Sequence, residues 1–175
     1  MATKRLFFGI GLAKSDALDI QSWLAQHVSA NKAPTLMRNW HLTLAFLGQV
    51  DSQREDAMVE FAKTLAAPPF QLHFSQTGYW SHNGIFYLRP DHTNAHHLLQ
   101  LAEPLRLCAE RQGLYRNPYP FSPHITLFRG VKPTPQVNSP LMPFSIAVTQ
   151  FHLYHSHSQA DGLHYSPIHT FKLSA

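Results

Sequence analysis

HLTLAFLG at residues 41–48 and HITLFRG at residues 124–130 are nearly the same phrase, and how this pair is read decides the fold. A lone H-x-T carries little information, because a chain of 175 residues with 13 His produces one by chance about 0.7 times. Requiring His, then Leu or Ile, then Thr, then Leu lowers that expectation to roughly one in a hundred. The longer pattern occurs twice, each time followed by an aromatic residue and a Gly. His41 to His124 and Thr43 to Thr126 share an offset of 83. The chain therefore reads as two similar halves, each delivering one copy.

In a strand, residues i and i+2 face the same side. His41 and Thr43 then project together, away from Leu42 and Leu44, and His124 and Thr126 do the same against Ile125 and Leu127. Each strand buries its aliphatic face and presents an imidazole with a hydroxyl to a cleft. Two His and two Thr suit a phosphodiester. One imidazole removes a proton from the attacking oxygen, the other protonates the leaving oxygen, and the hydroxyls hold the non-bridging oxygens. That chemistry calls for no cofactor and no metal.

Around the two phrases the elements alternate. KRLFFGIGL (4–12) reads as a strand, followed by a helix over 16–29 capped by Ser15 or Asp16. Residues 34–38 read as extended, and NWHLTLAFL (39–47) as a strand ending before Gly48. A helix then runs from Asp51 or Ser52 to about Ala66, stopped by Pro68 and Pro69. Residues 70–80 and 84–90 read as a hairpin turning at Asn83-Gly84. A long helix capped by Asp91 or Thr93 runs to about Gln112, with Leu98, Leu101, Leu105 and Cys108 on one stripe, Gly113 as C-cap, and a kink or split expected at Pro104. Pro118, Pro120 and Pro123 stiffen the approach to His124, 131–140 is a loop, and 143–156 and 162–173 read as two final antiparallel strands.

Composition narrows the function classes. The single Cys108 excludes an intramolecular disulfide or a thiolate metal cluster. The formal net charge of +4 favours anionic ligands mildly. No window approaches the roughly 20 apolar residues of a membrane helix, and an acidic residue arrives early in MATKRLFFGIGLAKSD, so the reading is a cytoplasmic protein without membrane partners.

The paired H-x-T phrases, preceded by RLFFGIGL and followed by L-Y-x-S…G-x-x-Y at Leu153, Tyr154, Ser156, Gly162 and Tyr165, resemble the 2H phosphoesterase superfamily. Within it the likeness is to the LigT-type RNA 2′,3′-cyclic phosphodiesterases, also called the 2′-5′ RNA ligase family. The resemblance spans nearly the whole chain. It implies an α+β fold with pseudo-twofold duplication: two antiparallel sheets flanked by helices, the cleft between them, and residues 1–175 forming one domain of two intertwined lobes. It also implies metal-independent opening of an RNA 2′,3′-cyclic phosphate to a 2′-phosphate, with His41 as general acid and His124 as general base. Substrates would be RNA ends, tRNA fragments among them, or small cyclic nucleotides, bound by a monomer.

Arg129 follows the second phrase where the first has Leu47, and its guanidinium would join Thr43 and Thr126 in holding phosphate. Its parity opposes that of Thr126, so a bend or bulge must turn it inward. Phe7 or Phe8 could stack a base, although both also read as core, as does Trp40. His152, His155, His157 and His164 raise a metal-site alternative that lacks an evident second shell. A reversible 2′-5′ ligase and an RNA-binding module without turnover are the other readings.

Overall fold

The computed structural model describes residues 2–92 and 95–174. Ten strands and three helices follow the expected alternation: β1 (Thr3–Gly11), α1 (Lys14–His27), β2 (Val28–Ser29), β3 (His41–Asp51), α2 (Ser52–Lys63), β4 (Phe70–Trp80), β5 (Ile85–Pro90), α3 (Ala95–Arg111), β6 (Ile125–Phe128), β7 (Gln136–Val137), β8 (Phe144–Val148), β9 (Gln150–Gln159) and β10 (Gly162–Lys172).

Eight strands form an antiparallel sheet in the order β10-β9-β1-β3-β6-β5-β4-β8, and β2 pairs with β7 separately. The eight divide into two sets of four. Within each set the pairing is extensive, whereas β3 meets β6 at one rung, Leu42 opposite Ile125. Two antiparallel lobes thus join where the two H-x-T phrases cross, and a pseudo-twofold axis through that rung exchanges β3 with β6 and β1 with β5.

Helices cover the apolar faces. Leu98, Leu101, Leu105 and Cys108 of α3 are buried as the stripe requires, and α3 packs on β3 and α2. Pro104 lies inside α3 without splitting it. Gly113, at φ +72°, ends the helix, and the Leu114 N–H donates to the Ala109 carbonyl at 2.9 Å. The halves also interlock. The Thr35 N–H from the first half donates to Leu127 of β6 at 2.8 Å, and the Tyr115 N–H from the second donates to Leu47 of β3 at 3.3 Å.

Local differences have local causes. α1 starts at Lys14 after Ala13, with neither Ser15 nor Asp16 as cap, whereas Asp51 caps α2 by accepting from the Arg54 N–H at 2.8 Å. α2 ends at Lys63, short of Ala66. Residues 37–39 form a 3-10 turn rather than extended chain. Asp91 accepts from Ser75 at 2.8 Å instead of capping α3, and Thr93 lies outside the described residues. Residues 81–84 make a longer turn than Asn83-Gly84 alone, closed by the Gly84 N–H on the Trp80 carbonyl at 2.9 Å. The stretch 143–156 breaks at Thr149, because β8 pairs with β4 in one lobe and β9 with β1 in the other.

Candidate active site

The Leu42–Ile125 rung sets the site. Only this rung is paired; its register, if continued by one residue each way, would set His41 opposite Thr126 and Thr43 opposite His124. The two histidines would then be diagonal neighbours, which in such pairs lie about 7–8 Å apart, with the Cβ atoms somewhat closer. Leu42 and Ile125 are fully buried on the other face. One phosphodiester could therefore be reached from both imidazoles.

Both rings are held the same way. His41 Nδ1 sits 2.8 Å from the carbonyl of Asn39, and His124 Nδ1 sits 2.8 Å from that of Ser122, two residues upstream in each copy. A carbonyl only accepts, so Nδ1 carries the proton and the neutral ring keeps its lone pair on Nε2. His41 Nε2 meets Thr43 Oγ1 at 2.7 Å. Burial pulls the His41 pKa down to about 4, opposed by the Asn39 hydrogen bond and reinforced by the charges of Arg129 and His124. His124 is lowered by the same burial, with the Ser122 bond opposing and Arg129 reinforcing. Both imidazoles rest neutral at pH 7.

Arg129 acts on both histidines because β6 carries a bulge. The register to β5 skips Leu127 between Thr126 and Phe128, and β3 skips Leu44 in the same way against β1. Leu127 and Phe128 are consecutively buried, as are Leu44 and Ala45. The extra residue reverses parity, so Arg129 faces the cleft with Thr126. Counted from the threonine, Arg129 takes the position of Phe46 rather than Leu47, since β3 adds a second bulge at Leu47.

Aromatic rings pack around both imidazoles. His41 lies against Phe7 (4.7 Å between centroids) and edge-on to Tyr165 (5.0 Å), with Tyr154 beyond at 6.3 Å. His124 lies edge-on to Trp80 (4.7 Å) and Tyr87 (5.6 Å). Glycines make the room. A Cβ on Gly78 would fall 2.3 Å from the Tyr87 ring, and one on Gly11 would fall 2.7 Å from the Tyr154 hydroxyl. The remaining sequence candidates have their ring faces or nitrogens occupied by neighbours or lie in the core. Phe8 is fully buried against Phe151 and Phe171, and Phe7 is covered by His41 and Tyr154, so neither offers a free face for a base. Trp40 is core, its indole N–H on Thr35 at 2.9 Å. His152 pairs with Thr170, His157 with Ser166, and His164 with Asp161. Among the described residues no group of three or more His, Cys, Asp or Glu is placed to hold a metal.

Two cavities lie nearby, one against Arg129 and Tyr165 and one against His124. One of about 550 Å³ includes Lys4, Arg5, Arg129 and Tyr165. The other, of about 920 Å³, includes Thr43, His124, Phe46, Trp80, Tyr115 and Tyr119.

Residues 15–160 match the family model described as the 2′-5′ RNA ligase superfamily. The chain belongs to the 2′-5′ RNA ligase superfamily. It is 34% identical to the RNA 2′,3′-cyclic phosphodiesterase of Escherichia coli K12, over 98% of this chain and 97% of that one. Among solved structures, E. coli LigT complexed with 3′-AMP aligns with a TM-score of 0.91 at 34% identity, covering 99% of each chain. LigT in its apo form aligns at 0.89 and 33%, covering each chain completely.

For this member of the 2′-5′ RNA ligase superfamily, residue type alone missed several parts of the site. The carbonyls of Asn39 and Ser122 carry no side-chain signature. Trp80 and Tyr87 lie on a hairpin far in sequence from His124, and Gly78, which makes room for the Tyr87 ring, was the available signal. No described helix is long and apolar enough to cross a membrane.

Proposed function

We propose that this protein opens 2′,3′-cyclic phosphate ends of RNA to 2′-phosphomonoesters, using His41 and His124 as an acid–base pair and no metal ion. The observation that supports the reading is the matched hydrogen bond from each Nδ1 to the carbonyl two residues before it, which leaves both Nε2 atoms available. The name of the E. coli relative supports the substrate class, with RNA ends, including tRNA fragments, or small cyclic nucleotides as ligands.

In this mechanism His124 Nε2 takes a proton from water as the water oxygen attacks phosphorus. The P–O3′ bond breaks, and His41 Nε2–H protonates the departing O3′. Thr43, Thr126 and Arg129 hold the non-bridging oxygens as charge shifts among them. His41 rests neutral, so its catalytic proton arrives with the substrate: the phosphodiester anion offsets Arg129 and raises the His41 pKa. The pH dependence of kcat/KM reports the free enzyme and that of kcat the complex. The alkaline limb of kcat is therefore expected at higher pH than that of kcat/KM.

EDTA-treated protein incubated with an RNA ending in a 2′,3′-cyclic phosphate tests the reading. A 2′-phosphate product supports it. A 3′-phosphate product, or activity that returns only on adding a divalent metal, contradicts it. The family description favours one second reading, reversible joining of RNA through a 2′-5′ linkage. A nucleoside 5′-hydroxyl would replace water against the same acid–base pair, and product analysis with paired RNA halves distinguishes the two.

A further inference from the structure

The two cavities differ in chemistry and meet through one contact, Arg5 of the smaller over Phe46 of the larger. The larger is rich in rings: Phe46, Trp80, Tyr115, Tyr119 and Phe121 line it beside Thr43 and His124. Tyr119 is 74% and Tyr115 48% exposed, and Tyr115 packs edge-on to Phe46 at 5.1 Å, so both rings present a face to the cavity. The segment presenting them is braced, with Arg106 donating to the Tyr119 carbonyl at 2.6 Å and the Tyr119 N–H donating to Asn117 at 3.0 Å. Glu110, the one carboxylate lining it among the described residues, is paired with Arg116 at 3.2 Å. The smaller cavity opens where β1 and β9 part beyond Arg5–Ser156. Its lining is cationic and hydroxylic, with Lys4, Arg5, Arg129 and Ser158 and, among the described residues, no carboxylate. Lys4 is committed to Glu55 at 3.0 Å, whereas among the described residues Arg5 and Arg129 form no ion pair. Arg5 lies 4.7 Å over the Phe46 ring, joining the two spaces.

From this arrangement we infer that the substrate groove is bipartite and built for single-stranded oligonucleotide ends rather than free cyclic mononucleotides. The base of the terminal nucleotide stacks in the aromatic cavity, and the next phosphate upstream lies against Arg5 in the cationic one. Aromatic stacking tolerates any base, because every base has a π-face. The inference rests on the cyclic-phosphate reading and names the substrate class for that site.

Two comparisons test it. The first measures kcat/KM for cytidine 2′,3′-cyclic phosphate and for a trinucleotide ending in the same group. The trinucleotide is expected to be better by about tenfold or more, with Arg5→Gln collapsing that ratio toward one and flattening its salt dependence. The second measures inhibition by a nucleoside 2′-monophosphate and by inorganic phosphate. Tyr119→Ala, a change at an exposed ring, is expected to shrink the preference for the nucleotide about fivefold or more. Equal kcat/KM for the two substrates, a ratio unmoved by Arg5→Gln, or an unchanged inhibitor preference in Tyr119→Ala would overturn the bipartite groove. Failure to hydrolyse either cyclic phosphate would instead overturn the underlying reading, so the two failures are distinguishable.

Discussion

Leu42 lies opposite Ile125 in the rung that joins the two lobes, and both side chains are fully buried beneath the histidines they alternate with. Leu42→Ala should cost about 2–5 kcal/mol in urea unfolding. Leu72→Ala, equally buried in β4 but away from the rung, should cost a similar amount. Assayed where both variants are folded, only Leu42→Ala should lower kcat, because only it loosens the register that sets one histidine against the other.

The two glycines that accommodate rings give a sharper pair. A Cβ at Gly78 meets carbons of the Tyr87 ring, whereas one at Gly11 meets only the Tyr154 hydroxyl. Gly78→Ala should therefore displace Tyr87 and shift the His124 imidazole resonances, with kcat falling about tenfold or more. Gly11→Ala should destabilise the fold, and adding Tyr154→Phe should restore much of that stability. Unperturbed His124 resonances in Gly78→Ala would remove Tyr87 from the support of the ring.

Stability should fall with acid through a defined window. The folded His41 pKa of about 4 lies below the ordinary 6.5, so between these values the unfolded chain binds more protons than the native one. The contribution is complete above about pH 6.5 and is lost as pH falls toward 4, by about 3 kcal/mol. His124 shifts in the same direction. His41→Asn should lose less stability between pH 7 and pH 4 than the natural chain, measured by denaturant unfolding at each pH.

Arg129 separates holding the ground state from stabilising developing charge. Its charge reaches both imidazoles. Arg129→Ala should lower kcat as well as raise KM, and it should move both histidine titrations upward by removing a nearby cation. A change in KM alone would confine Arg129 to binding.

Much of this was legible because periodicity carries it. The doubled H-x-T, the α3 stripe and the Asp51 cap all follow from local spacing. The need for a bulge before Arg129 was also readable, since parity alone pointed the guanidinium the wrong way; the bulge lies at Leu127. Other features depend on what the chain meets after folding. The break at Thr149 arises because neighbouring segments serve different lobes, and nothing within 143–156 announces it. Phe7 and Phe8 have the residue type of a base platform, but their faces are taken by Tyr154 and by Phe151 and Phe171. The backbone acceptors at Asn39 and Ser122 leave no trace in residue identity.

The central claim is that His41 and His124 act as one acid–base unit, and single and double substitution tests it most directly. With EDTA-treated protein and an RNA ending in a 2′,3′-cyclic phosphate, His41→Ala and His124→Ala should each lower the rate about 10²-fold or more. The double variant should lose far less than the product of the two, because each histidine is useless without the other. Full activity in either single variant, or losses that multiply in the double variant, would contradict it.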